Sequence, residues 1–198
     1  MAPDTRTRIV ETARELFWSK GYNSTSIADI LARAQVNSGS LYHFFPGKQD
    51  LLVAVLESYR VGLEEALLAP AWEGIEDPLE RVFALLARYR ELIVLTDCSY
   101  GCPIGSLALE LHEPDPAVRK LLADNFDGWT VAIRSCLEAA GPRLPDDLDR
   151  HALAEFVLTV MEGAVMQART YRDVAPFDRA VAQLRRHFQQ LAKKEVPC

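Results

Sequence analysis

A short run of polar and aromatic side chains in the first quarter of the chain has the groups that bind nucleic acids. It comprises Asn37, Ser38, Gly39, Ser40, Tyr42 and His43. Amide, hydroxyl and imidazole groups can hydrogen-bond to base edges in a major groove, and a glycine lets the backbone approach DNA closely. Hydroxyls and lysines are usual phosphate donors, so we expect phosphate contacts from Thr25, Ser26, Tyr42 and Lys48.

The same run has a second interpretation that involves no ligand. Leu41, Phe44 and Phe45 would be core residues, and the polar residues between them would only face water. Residue types and spacing alone leave both interpretations open.

The cysteines and histidines suggest little other chemistry. Cys98 and Cys102 lie four residues apart in a predicted turn, but a metal site would need a second pair at ligand spacing, and His112 is the nearest candidate. We therefore expect no metal and no cofactor. Packing is the expected role of Cys98 and Cys102, and the alternatives are a redox pair of the two or a reactive thiol at Cys102. Cys136 falls on a helical stripe typical of a core, and we expect the terminal Cys198 to be disordered. The motifs of hydrolases, metalloproteases and phosphate-binding loops are absent from the sequence, which argues against an enzyme.

Charge is distributed unevenly along the 198 residues, whose formal net charge is −6. Residues 1–48 contain six basic and four acidic side chains, a charge of +2, whereas residues 49–198 contain 16 basic and 24 acidic ones, a charge of −8. The excess acid therefore argues against nucleic-acid binding by the second part only. No apolar run approaches the ~18 residues of a membrane helix, the N-terminus does not resemble a signal peptide, and four cysteines are too few for a disulfide scaffold. These features favour a reducing cytoplasm and no membrane partner.

Apolar residues recur at three- and four-residue spacing along most of the chain, which predicts an all-α protein of about nine helices. The predicted helices span residues 5–19, 26–34, 38–44, 48–68, 78–95, 106–112, 116–140, 147–171 and 176–194. Two short helices around a three-residue turn, supported by the helix before them, describe a helix-turn-helix unit. We therefore expect a DNA-binding domain in residues 1–48 and a helical ligand-binding and dimerisation domain in residues 49–198, with the helix from Lys48 linking them.

Residues 5–56 closely resemble the DNA-binding domain of the tetracycline-repressor-like (TetR) family of bacterial regulators. The matching segments are residues 8–17, 21–30, 34–45 and 48–52. The resemblance implies an all-helical homodimer. The N-terminal part of each subunit, here called the head (residues 1–48), would bind a palindromic DNA operator. The remainder, here called the body (residues 49–198), would bind a small effector, and the DNA would then be released. Gln35 stands where glycine is common, Asn37 where Ser or Thr is usual, and Ser38 where many relatives have Lys or Pro. The operator sequence therefore cannot be carried over.

A weaker resemblance lies in the body. Residues 100–111 are similar to a Gly-Cys-x-x-Gly-x-x-x-x-Glu signature of one branch of this family. Several members of that branch respond to small electrophiles or related metabolites, and a cysteine in this region can be the sensor. A thiol-based sensor that uses Cys102 is thus an alternative to reversible effector binding. A helical enzyme or carrier that has lost DNA binding is another, but it should show a disrupted head, and here the head is intact.

The body also contains candidates for the effector pocket and the dimer contact. Helices beginning at Pro78, Pro116 and Asp147 would enclose a pocket lined by Tyr89, Tyr100, Cys102, Trp129 and Glu162, because pockets combine apolar walls with a few polar groups. Two apolar stripes with helix-pairing spacing predict the dimer contact: Leu153, Val157, Val160 and Ala164, and Phe177, Val181, Leu184 and Phe188. Each stripe could instead pack within its own chain.

Overall fold

The structure is a computed structural model that describes residues 4–192, and these form helices with no strand among them. The helices are α1 (Thr5–Lys20), α2 (Ile27–Ala34), α3 (Ser38–Phe44), α4 (Lys48–Leu63), α5 (Ala69–Trp72), α6 (Pro78–Leu95), α7 (Pro103–Glu110), α8 (Pro116–Ala139), α9 (Arg150–Tyr171) and α10 (Ala175–Leu191). A π-helical turn (Glu64–Leu68) joins α4 to α5 without a break. Counted in this way, the described residues form nine continuous helices and a short 3-10 helix (Gly141–Arg143), and the predicted all-α fold is confirmed.

The described residues divide into two compact units. The first contains the chain up to Val61 together with Cys102–Phe126, and the second contains Gly62–Gly101 together with the described residues from Asp127 onward. The first unit therefore includes α7 as well as the three N-terminal helices. The boundary at residue 48 remains a prediction about sequence domains.

Capping side chains begin the three N-terminal helices. The Asp4 carboxylate accepts the N–H of Thr7 at 2.8 Å at the start of α1. Ser26 and Asp29 form a reciprocal capping box at the start of α2, and Asn37 caps α3. With eight and seven residues, α2 and α3 are marginal alone, so these caps and the packing on α1 stabilise them. Gln35, in the turn between α2 and α3, has the left-handed angles φ 54° and ψ 47°, which cost a non-glycine residue roughly 1–2 kcal/mol.

Several helix boundaries differ from the sequence prediction: α9 begins at Arg150, where Asp149 caps it, and α10 ends at Leu191. Proline has a part in two further differences. The helix predicted to end at residue 68 continues through residues 69–72, because the π-helical turn just before Pro70 has a wider backbone that accommodates the proline ring. The helix expected at residues 106–112 is α7, which begins earlier because Cys102 caps it and Pro103 occupies its first position.

The second unit is built around α6, α9 and α10. Phe83 and Phe188 meet edge to face with ring centroids 5.2 Å apart. Two ion pairs join α6 to α10: Arg90 binds Asp178 through two hydrogen bonds of 2.6 and 3.0 Å, and Arg185 binds Glu80 at 2.7 and 3.1 Å. None of the helices in residues 4–192 is long and apolar enough to cross a membrane.

Candidate nucleic-acid interface and ligand-binding residues

Helix α3 presents a polar face over a buried apolar base. Leu41 and Phe45 are 0% and 3% exposed, so they belong to the core, whereas Phe44 is 38% exposed and does not. The exposed residues of this segment include Asn37, Ser38, Gly39, Tyr42 and His43, and Ser40 is half-buried. The structure thus combines the two interpretations of the sequence: apolar side chains hold α3 to the head, and its polar side chains face outward.

Two of the predicted DNA contacts also cap helices. The Asn37 Oδ1 accepts the N–H of Ser40 at 2.8 Å. The Ser26 hydroxyl accepts the N–H of Asp29 at 3.1 Å and donates to the Asp29 carboxylate at 2.6 Å. Hydrogen bonds from Ser26 lower the pKa of Asp29. Both caps are exposed, so they can orient the helix starts and still meet a ligand.

Thr25 differs from the other residues of the predicted interface. It is 1% exposed, and its hydroxyl donates to the backbone carbonyls of Gly21 at 2.7 Å and Leu16 at 3.3 Å. Its side chain is thus turned inward in this structure and fastens the end of α1 to the turn that follows.

Two cations lie against aromatic rings of the head. The Lys48 Nζ is 4.2 Å from the centroid of the Tyr22 ring, and partial burial lowers its pKa. The Arg6 guanidinium carbon lies 5.4 Å from the centroid of the Phe45 ring, at the end of α3. Sequence reasoning missed Arg6, because no local periodicity relates it to a residue so much later in the chain.

The five predicted pocket residues are divided between the two units. In the second unit, Tyr89 and Trp129 meet edge to face with centroids 4.9 Å apart, and both are buried. Tyr100 and Glu162 are half-buried residues of the same unit. Cys102 belongs to the first unit, as does Tyr59 on α4, whose pKa is raised mainly by burial and to a smaller extent by Cys102.

The cysteines of the described chain are buried. The Cys102 thiol accepts the N–H of Gly105 at 3.5 Å and so caps α7, which gives it a structural role. Burial raises the pKa of Cys98 and Cys136, and Cys198 lies outside the described residues. Within residues 4–192, no group of three or more His, Cys, Asp or Glu side chains could hold a metal ion.

The predicted dimer stripes face mainly into their own chain. Six of the eight residues are less than 9% exposed: Leu153, Val157, Ala164, Phe177, Leu184 and Phe188. Val160 and Val181 are half-buried. Other large apolar residues of α9 are exposed, namely Phe156 at 47% and Met166 at 53%.

Comparison with known proteins covers both parts of the chain. The family model described as "Bacterial regulatory proteins, tetR family" matches residues 9–55. A second model, described as "Transcriptional regulator LmrA/YxaF-like, C-terminal domain", matches residues 78–183.

Individual relatives agree with these matches. The HTH-type transcriptional regulator MT0206 of Mycobacterium tuberculosis is 32% identical over 91% of this chain and 92% of its own length. The HTH-type transcriptional repressor DhaR of Mycobacterium sp. strain GP1 is 27% identical over 87% of this chain and 86% of its own length. The crystal structure of a regulatory protein TetR from Rhodobacter sphaeroides has a TM-score of 0.84 at 27% identity, and covers 92% of this chain and 98% of that one.

Proposed function

Because this chain belongs to the TetR family of bacterial transcriptional regulators, we propose that it is a repressor released from DNA by a small effector. It would bind a palindromic operator as a homodimer. The observation that carries the proposal is the exposed polar face of α3 above its buried base, Leu41 and Phe45. The sequence argued against an enzyme, and membership of a family of transcriptional regulators agrees with that expectation.

In the proposed complex, α3 enters the major groove with its N-terminal end first. Base edges or the adjoining phosphates would be contacted by the polar side chains of this segment, namely Asn37, Ser38, Ser40, Tyr42 and His43. Exposed Gly39 would allow the backbone to approach the DNA closely. Ser26 at the start of α2 and Lys48 at the start of α4 would contact phosphates, with Arg6 as an additional cation. Since bacterial chromosomes lie in the cytoplasm, we propose that the protein acts there.

The proposed dimer contact uses the outward face of α9 and α10. Phe156 and Met166 are half exposed on α9, and a Cβ added at Gly163 would meet no atom within 4 Å, so another helix could approach there closely. Val160 and Val181, which are half-buried, would complete this face. The other residues of the predicted stripes would support it from within the chain.

The proposed effector site lies in the second unit, around the buried pair of Tyr89 and Trp129. Aromatic walls with a few polar groups suit an apolar or flat molecule. Thr130, which is 5% exposed, and the half-buried Tyr100 and Glu162 are the polar groups proposed to orient it. An effector would release the DNA only if it binds the DNA-incompetent conformation more tightly than the competent one.

The first test is selection of fragments of the host genome by the purified protein, followed by affinity measurements at several salt concentrations. We expect a palindromic site near the protein's own gene. Its affinity should fall as salt rises, because phosphate contacts release counterions. Absence of any salt-sensitive binding to such DNA would contradict the proposal. A thermal-shift screen of small molecules, followed by DNA release, would then identify the effector.

A second candidate is a thiol-based sensor on the same scaffold, in which modification of Cys102 releases the DNA. What favours it is the position of the thiol at the start of α7, because a helix N-terminus stabilises negative charge on sulfur. Against it, Cys102 is 4% exposed and already has a capping role.

Cys102→Ser separates the two candidates. Serine is a good N-cap, so this variant keeps the cap and loses the thiol, whereas Cys102→Ala loses both. N-ethylmaleimide is the probe, and release of operator DNA is the measurement. If N-ethylmaleimide causes the wild type to release operator DNA but has no such effect on Cys102→Ser, the thiol sensor is supported. An unchanged response in Cys102→Ser would eliminate it.

A further inference from the structure

The last residue of α7 binds the turn that connects α1 to α2. The Glu110 Oε2 accepts the N–H of Tyr22 at 2.9 Å, and its Oε1 accepts the N–H of Asn23 at 2.6 Å. One carboxylate therefore accepts two consecutive backbone donors that are 88 and 87 residues away in the sequence. Hydrogen bonds to an ionised acceptor are stronger than neutral ones, so the turn is fastened at a single point.

Gly21 makes room for this carboxylate. It has φ +88°, and a Cβ at this position would lie 3.0 Å from the Glu110 Oε2. A side chain here would thus be strained by the backbone angle, and its Cβ would crowd the Glu110 carboxylate, which would have to shift slightly. The glycine that ends α1 is explained by the contact as well as by the turn.

The turn leads directly into the start of α2. The N–H of Thr25 donates to the Tyr22 carbonyl at 3.2 Å, and the Thr25 hydroxyl donates to the Gly21 carbonyl. Ser26, the N-cap of α2, follows immediately. The contacts of Glu110 thus fix the backbone just before a helix start that is proposed to meet a phosphate.

A cation accompanies the carboxylate. The Lys48 Nζ lies over the Tyr22 ring, and the negative charge of Glu110 partly counteracts the lowering of the lysine pKa by burial. Two N–H donors and a nearby ammonium group suit an ionised carboxylate better than a neutral amide. This arrangement favours Glu over Gln at position 110.

The other end of α7 is also held in the first unit. Cys102 caps the helix through its thiol, and Ile104 and Leu107 are 4% and 2% exposed. The cap and these two buried side chains restrict the movement of α7, so the backbone that carries Glu110 is held in place. The Gly-Cys-x-x-Gly-x-x-x-x-Glu stretch of the sequence therefore contains both the cap and the carboxylate.

We propose that Glu110 is a positioning residue of the DNA-reading head: it holds the α1–α2 turn so that α2 and α3 are ordered before DNA arrives. The effect on DNA binding rests on the proposed function, whereas the effect on the turn does not. Without the carboxylate, DNA would bind a less ordered head and the free energy of ordering would reduce its affinity.

The test compares Glu110→Ala and Glu110→Gln with Glu113→Ala. Glu113 follows α7 closely, and its side chain is 92% exposed and paired only loosely with Arg119 at 3.6 Å, so this control removes the same charge without the contact. Hydrogen exchange should become about ten-fold faster at the amides of Tyr22 and Asn23 in Glu110→Ala, the effect of losing ~1.4 kcal/mol of protection. Glu110→Gln, which retains one acceptor, should have an intermediate effect, and Glu113→Ala should have none.

Operator affinity is the second measurement. We expect Glu110→Ala to bind about ten-fold more weakly with an unchanged slope of log K against log salt, because Glu110 contacts no phosphate in the proposed complex. If Glu110→Ala does not fold, Glu110→Gln supplies the same comparison with a smaller effect.

Unchanged exchange at Tyr22 and Asn23 would overturn the proposal. So would tighter DNA binding by both Glu110 variants, because the carboxylate would then act as a repulsive charge. If the wild type binds no DNA, the proposed function fails, and the exchange rates still decide whether Glu110 orders the turn.

Discussion

At the scale of single residues, the structure separates side chains that face outward from those that serve the head internally. Ser38, Tyr42 and His43 are exposed, whereas Thr25 has its hydroxyl on two backbone carbonyls. All four carry polar groups suited to DNA, so residue type alone could not distinguish them. Burial makes the distinction, because a buried hydroxyl needs a partner inside the protein.

Thr25→Val tests this distinction. Valine has nearly the same shape but no donor, so the carbonyls of Gly21 and Leu16 lose a partner, and the free energy of unfolding should fall by about 1–3 kcal/mol. Urea denaturation measures it, with the exposed neighbour Ser24→Ala as control. A loss of operator affinity at unchanged stability would instead support a phosphate contact.

At the scale of elements, α3 is a seven-residue helix that depends on its cap and on α1. Asn37 begins it, and Leu41 and Phe45 anchor it. Gln35, before it, accepts left-handed angles to make the turn. The helix is thus formed by capping and packing together, since a segment of this length is not stable alone.

Asn37→Asp separates capping from DNA contact. Aspartate caps a helix as well as asparagine does, and its charge suits the helix start, so stability should be retained. The same charge would face the phosphates, and operator affinity should fall by about ten-fold or more. Asn37→Ala removes the cap as well as the proposed DNA contact, so it should lower both the operator affinity and, by about 1 kcal/mol, the free energy of unfolding. Urea denaturation and DNA titration measure the two effects, and normal DNA binding by Asn37→Asp would contradict the proposed position of α3.

At the scale of the whole molecule, the protein carries its excess acid outside the proposed DNA-binding head. The first 48 residues have a formal charge of +2 and the remainder −8. Like charges repel, so we expect the acidic part to stay clear of the duplex and leave the contacts to the two heads of a dimer. A head with so little positive charge should bind non-specific DNA weakly.

The proposed dimer face is tested by Phe156→Glu combined with Met166→Glu. Both residues are about half exposed in one chain, and the Phe156 ring meets the His187 ring of α10 edge to face, so the free energy of unfolding of the subunit should fall by only about 1 kcal/mol. Desolvated like charges on both copies should raise the dimer dissociation constant by about 100-fold or more. Analytical ultracentrifugation measures it.

The control for this variant is Val61→Glu combined with Leu109→Glu. These residues are 73% and 70% exposed in the first unit, and the control should remain dimeric. If the Phe156→Glu and Met166→Glu variant is still dimeric at concentrations at which the wild type is dimeric, the dimer contact lies elsewhere.

Local sequence patterns were enough to predict the helices and most of their starts, although α7 and α9 begin at other residues than expected. Capping residues and apolar periodicity act over three or four residues, so Ser26, Asn37 and the amphipathic stripes could be recognised without coordinates. The resemblance of residues 5–56 to one family also identified the head, and the family models confirm it.

Packing in three dimensions brings together groups that lie far apart along the chain. The carboxylate of Glu110 and the amides of Tyr22 and Asn23 are brought together by the packing of α7 in the first unit, and no local pattern relates them. Likewise, a helical stripe shows that one face of α9 is apolar, but only packing decided that Leu153 and Val157 point inward. Local free energies select the helices, whereas the faces they bury depend on the summed contacts of the whole fold.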